Sequence, residues 1–66
     1  MRINVDKMEL IAAQQGLNCS GLAAKAQISR QTISTIRMRK TCSGGVMVRL
    51  ADALGVDVTE ILVQEG

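Results

Sequence analysis

Residues 18–38 read NCSGLAAKAQISRQTISTIRM, and this stretch decides the fold of the 66-residue chain. Its apolar residues recur at helical spacing, and Asn18 and Ser29 are each placed to cap a helix. Ala23 is small enough to let the two helices cross closely, and Ile28 fills the three-residue turn between them. The spacing therefore predicts two short helices, one after each cap, held at a fixed angle.

Helical periodicity continues on both sides of this stretch. No run of β-branched residues is long enough for a strand, so we predict an all-α fold, a compact five-helix domain that spans residues 1–66. We expect helices over about 5–15, 19–26 and 30–38, a fourth from the Ser43 cap to the Gly55 stop, and a short fifth opened by a capping box at Asp57–Glu60.

Size and composition argue against several classes of function. A chain this short hides only about 60% of its unfolded surface, which leaves no room for a catalytic cavity beside the core. The sequence has no His, the usual proton carrier near neutral pH, and no aromatic residue on which single-stranded nucleic acid could stack. Met8, Met38 and Met47 are expected to be packing residues rather than metal ligands. We therefore expect no enzyme activity, no cofactor and no metal.

Location is predicted from hydropathy and cysteine usage. The longest uncharged run, residues 10–24, is too short and too polar to span a bilayer, and the N-terminus lacks a signal-peptide pattern. Cys19 and Cys42 make a poor disulfide framework. A cytoplasmic protein with reduced thiols is the expectation, and a redox switch through these thiols is the alternative.

The charges are distributed unevenly along the chain. All six acidic residues lie within the first nine positions or after position 51, so residues 10–51 carry only cations. These cations are Lys25, Arg30, Arg37, Arg39, Lys40 and Arg49. Such a block indicates a polyanionic partner, and the alternative is a solvated basic face, which we favour for Lys25 and Arg49.

Two short helices joined by a three-residue turn make a helix-turn-helix, whose second helix fits the major groove of DNA. Residues 17–62 resemble the Cro/phage-repressor (Xre-like) family. The specific matches are Leu22-Ala23, ISRQTIS at 28–34 and LADALGV at 50–56. The resemblance implies a sequence-specific transcriptional regulator of double-stranded DNA, in the first place a repressor that occupies an operator.

The resemblance also implies the DNA-contacting residues. The family's base-reading positions fall on Arg30, Gln31 and Thr35, with Ser34 nearby; Arg suits guanine, Gln adenine, and a Thr methyl thymine. The family's phosphate contacts fall on Cys19, Lys40 and Thr41. We expect further phosphate contacts at Thr32, Arg37, Arg39 and Ser43, and all of these contacts set register rather than sequence.

The chain departs from the family pattern at four places. Gln27 stands where the turn usually has glycine, and Met38-Arg39-Lys40 replaces the common Asn-Gly-Lys. Cys19 stands where a glutamine often binds phosphate. Ala12 and Arg37 replace a common Arg–Glu pair, so Arg37 is expected to be free for phosphate.

The C-terminal segment is more apolar than one short helix needs. We expect a homodimer through Val58, Ile61 and Val63 that binds inverted half-sites about 34 Å apart. No membrane or small-molecule partner is indicated. The alternative function is a protein-interaction module, such as an antitoxin or an adaptor, with secondary DNA binding.

Overall fold

Four α-helices and one short 3₁₀ helix follow each other in the computed structural model, which describes residues 1–63. The helices are α1 (Val5–Gln14), α2 (Cys19–Ala26), α3 (Arg30–Arg39) and α4 (Gly44–Leu54), and the 3₁₀ helix is Val58–Glu60. The predicted all-α fold is confirmed, but the count of five helices is wrong. Of the predicted 1–66 domain, residues 64–66 lie outside the described part.

The predicted caps form at the start of each central helix. The side chains of Asn18, Ser29 and Ser43 accept hydrogen bonds from the backbone N–H groups of Gly21, Thr32 and Val46. Each bond satisfies a donor that the first helical turn leaves without an intrahelical acceptor. These local bonds explain why the predicted starts of α2, α3 and α4 agree with the structure.

The C-terminal segment makes a single 3₁₀ turn, and its capping box forms only in part. The Asp57 carboxylate accepts from the backbone N–H and the hydroxyl of Thr59, both at 3.0 Å. Glu60 does not reach back to the cap residue and pairs with Lys7 at 3.3 Å. The chain then becomes extended, and Leu62 forms an isolated antiparallel bridge with Ile3.

The N-terminal segment, residues 1–4, lies between this C-terminal segment and the loop after α3. Isolated bridges join Arg2 to Thr41 and Ile3 to Leu62. Ile3 precedes the Asn4 cap of α1 and is 1% exposed, and Met8 is fully buried in the same core. The two residues stand at the positions of a hydrophobic staple, which fixes the direction in which the chain enters α1.

The core receives apolar side chains from all four helices. Ala23 is 2% exposed, and its small side chain allows α2 to pack against both α3 and α4. Ile33 and Ile36 are buried from α3, and Met47 and Leu50 from α4. Ile33 and Ile36 thus form one buried edge of α3, and the packing of this edge sets the orientation of the helix. None of the helices in residues 1–63 has the length and apolarity that a membrane span requires.

Candidate nucleic-acid interface

The turn between α2 and α3 is held in a left-handed conformation. Gln27, at the end of α2, has φ 60° and ψ 42°, the conformation that glycine adopts without steric cost. Its carbonyl oxygen accepts a hydrogen bond from Nη1 of Arg49 at 3.2 Å. Arg49 is exposed, as expected of a solvated cation, and this hydrogen bond also connects α4 to the turn.

The face of α3 opposite its buried edge points to solvent. Successive helical residues are rotated by about 100°, so the direction opposite Ile33 and Ile36 is occupied by four residues that we call the outward stripe. The outward stripe consists of Gln31, Ser34, Thr35 and Met38, all exposed. Arg30 is exposed in the first turn beside it. The structure thus brings the four candidate base-reading residues together on one accessible surface.

Met38 does not pack in the core. Met8 and Met47 are fully buried, as expected, but Met38 is 85% exposed. Its position was predictable, because it follows Gln31 by seven residues, nearly two full turns of helix. The apolar character of Met38 suggested the core, but its direction around the helix differs from that of the buried Ile33 and Ile36.

One side of the outward stripe faces a groove rich in hydroxyl groups. Gln31, Thr32 and Thr35 line it from α3, and Thr41 and Ser43 line it from the following loop; its volume is about 340 Å³. The start of α4 lies at this groove, and a helix N-terminus favours anions. Arg39 follows Thr32 by seven residues and therefore lies on the same side of α3.

The loop after α3 is braced by the N-terminal segment. Lys40 has φ 58°, and its carbonyl accepts from the backbone N–H of Ile3 at 3.0 Å. Met1 and Cys42 exchange two hydrogen bonds, each 2.9 Å long. Backbone hydrogen bonds to residues 1–3 therefore fix the position of the loop that carries the exposed side chains of Lys40 and Thr41.

Cys19 and Arg37 lie on the side of α3 that is opposite to the hydroxyl-rich groove. They line a groove of about 240 Å³ together with residues of α1. Nε of Arg37 lies 2.6 Å from Oε1 of Glu9, so the prediction that Arg37 is free is wrong. The pair joins α1 to α3 with the charges exchanged relative to the common Arg–Glu pair, and both side chains are about half exposed.

Both cysteines are free thiols and half-buried. Burial raises the pKa of the Cys42 thiol, and the nearby N-terminal ammonium opposes the shift only in part. Cys42 is therefore a protonated thiol at neutral pH, which disfavours nucleophilic reactions.

The three residues expected at a dimer interface differ in exposure. Val58 and Val63 are half-buried, whereas Ile61 is 0% exposed. The expectation for Ile61 is corrected, because its side chain packs in the core of its own chain and is not available to a partner.

A family model described as a Cro/C1-type HTH DNA-binding domain matches residues 7–65. The match covers nearly the whole chain and includes all of α2 and α3. Searches of curated proteins and of solved structures found no match.

Proposed function

Because this chain belongs to the Cro/C1-type helix-turn-helix family of DNA-binding transcription regulators, we propose that it is a repressor that reads a specific duplex sequence with α3 in the major groove. Repression follows from occupancy: a protein bound at an operator excludes polymerase from the same DNA.

The arrangement around α3 carries this proposal. The outward stripe has the hydroxyl-rich groove with Thr41 and Ser43 on one side, and Cys19 and Arg37 on the other. The major groove is about 12 Å wide, which admits one α-helix, and a phosphate backbone borders it on each side. Groups suited to phosphate thus flank the residues that would face the bases.

Arg30 stands at a position where a cation does not stabilise the fold. It occupies the first turn of α3, where no acidic residue is present to offset it. A cation near a helix N-terminus is unfavourable by about 0.3–1 kcal/mol, because the helix dipole places partial positive charge there. We assign Arg30 to bidentate binding of guanine and Gln31 to adenine, the pairings that their side-chain geometry favours.

Ser34 and Thr35 complete the proposed base-reading set. The hydroxyl of Thr35 donates to the carbonyl oxygen of Gln31 at 3.0 Å. This bond uses the only hydrogen of the hydroxyl, so the Thr35 hydroxyl can accept but not donate a further hydrogen bond, and we assign the Thr35 methyl to contact with thymine.

The proposed phosphate contacts form two groups. Thr32, Arg39, Lys40, Thr41 and Ser43 serve one strand, and Cys19 and Arg37 serve the other. The ion pair of Arg37 with Glu9 does not prevent this role. An exposed pair contributes at most about 1 kcal/mol, so a DNA phosphate can compete for the guanidinium.

We further propose that two copies bind an inverted repeat through an interface that includes the half-buried Val58 and Val63. Half-sites one helical turn apart, about 34 Å, would then each receive one α3. Sedimentation of the free protein and of its complex with a two-half-site duplex tests this. A second copy is expected on the duplex, and a single copy in both samples contradicts the dimer.

Three variants and one matched control test the function. On the preferred duplex, Arg30→Ala and Gln31→Ala are each expected to cost about 1–3 kcal/mol and to relax base preference. Lys40→Ala is expected to weaken binding to all duplexes alike and to lower the salt slope by about one.

Lys25→Ala is the matched control. It removes one positive charge from α2, where Lys25 lines a cleft with Arg49 and Asp52, away from the outward stripe. Its salt slope is expected to change less than that of Lys40→Ala. Unchanged binding by both Arg30→Ala and Gln31→Ala contradicts the assignment of α3.

A further inference from the structure

Met38 presents a large apolar side chain to solvent within a surface that is otherwise polar. It is 85% exposed, the most exposed large hydrophobic residue of the described chain. Arg37 and Arg39 precede and follow it. A protein partner docking on Met38 would desolvate these cations, whereas DNA would neutralise them. The neighbouring charges therefore favour DNA as the contact of Met38.

Met38 points in the same direction as the residue proposed to read adenine. It follows Gln31 by seven residues, which places the two side chains about 20° apart around the helix axis and about 10 Å apart along it. It follows Ser34 by four residues and Thr35 by three, the spacings at which helical side chains are surface neighbours. Met38 is thus the C-terminal member of the outward stripe.

The surroundings of Met38 leave room for a group of the ligand. Ser34 has a short side chain, and an open depression of about 360 Å³ lies between Ser34, Arg37 and Met38. The hydroxyl of Thr35 is bonded to the carbonyl of Gln31. The apolar groups of the outward stripe, the Thr35 methyl and the Met38 thioether, therefore lie in its C-terminal half, whereas Gln31 and Ser34 in its N-terminal half offer polar groups.

Only one apolar group lies on the major-groove edges of the bases, the C5-methyl of thymine. We propose that Met38, together with the Thr35 methyl, contacts thymine C5-methyl groups and makes Met38 a specificity-determining residue. The proposal rests on the entry of α3 into the major groove. It also predicts an order within each half-site, with the thymine at the end away from the bases that Arg30 reads.

The test removes only the methyl group from the DNA. Each thymidine of the preferred half-site is replaced in turn by deoxyuridine, which keeps the base pair and lacks the C5-methyl. One or two positions are expected to lose about fourfold in affinity, the effect of one buried methyl group. In Met38→Ala the sensitivity at the thymine that Met38 contacts is expected to disappear, and a position that the Thr35 methyl contacts is expected to keep it. In Met38→Leu, which keeps an apolar side chain, the sensitivity is expected to remain at every position.

Matched controls and the remaining outcomes keep the two proposals separate. Leu10 and Val48 are exposed apolar residues of α1 and α4, so Leu10→Ala and Val48→Ala are expected to keep the sensitivity of the wild type. Equal sensitivity in Met38→Ala and wild type overturns the role of Met38, and a preferred half-site without thymine does the same. In either case a loss of base preference in Arg30→Ala still supports the proposed function. Absence of any preferred sequence overturns both.

Discussion

Replacement of Gln27 by glycine is expected to stabilise the protein. Gln27 has φ 60° at the end of α2, where it ends the helix in a left-handed conformation. Its backbone N–H bonds to carbonyl oxygens of α2, and its backbone carbonyl accepts from Arg49. Glycine retains all of these bonds because none uses the Gln27 side chain.

Two opposing terms set the size of the effect. A left-handed conformation costs an L-residue about 1–2 kcal/mol, and glycine avoids this cost because it has no Cβ. Glycine in turn loses about 0.5–1 kcal/mol through the greater freedom of the unfolded chain. The expected net gain in the free energy of unfolding is about 0.5–1 kcal/mol, which raises Tm by about 2–8 °C in a domain of this size.

Thermal unfolding followed by circular dichroism measures this shift. Ala24→Gly is the matched control, because it introduces the same residue three positions earlier, inside α2, at an exposed site with ordinary helical conformation. The control is expected to lose about 1 kcal/mol. A Tm of Gln27→Gly at or below that of the wild type refutes the reasoning, because the strain at Gln27 would then be absent or offset elsewhere.

Three further predictions concern charged side chains. Lys40 also has positive φ, so Lys40→Gly is expected to raise the Tm of the protein by a few degrees in thermal unfolding. The same variant is expected to bind every duplex more weakly, because it lacks one cation, and stronger binding would contradict this. Glu9→Gln is expected to lower the free energy of unfolding, measured in urea, by less than about 1 kcal/mol. It is also expected to strengthen DNA binding, measured by fluorescence anisotropy, because it releases Arg37, and weaker binding would contradict this. Hydrogen bonds from Thr59 lower the pKa of Asp57 below its ordinary value of 3.8, so its carboxylate stabilises the fold above that pH and the contribution is lost as pH falls through the lowered pKa. Asp57→Asn should therefore differ from the wild type in Tm more at pH 7 than at about pH 2, and equal differences argue against this role.

The helices could be predicted where local signals define them. Asn18, Ser29 and Ser43 each bond to a backbone N–H three residues ahead, so both partners of each bond lie within one short stretch of sequence. The C-terminal segment could not be predicted in this way. The 3₁₀ helix does not continue beyond Ile61, because Leu62 pairs with Ile3 at the other end of the chain, and no local pattern shows that pairing.

The same distinction applies to the candidate site. The exposure of Arg30 and Gln31 followed from the periodicity of α3 alone. The ion pair between Arg37 and Glu9 depends on how α1 packs against α3, which periodicity does not show. Met38 is a different case, since its outward direction was readable from the positions of the buried isoleucines but its apolar character suggested the core.

Selection of bound duplexes from a random double-stranded pool tests the central claim most directly. At about 0.15 M salt, non-specific phosphate binding is weak enough for base readout to dominate enrichment. Sequence-specific reading by α3 in a dimer predicts two inverted half-sites centred about 10 bp apart. Failure of the folded protein to enrich any sequence would contradict the account and favour a module that binds a protein partner.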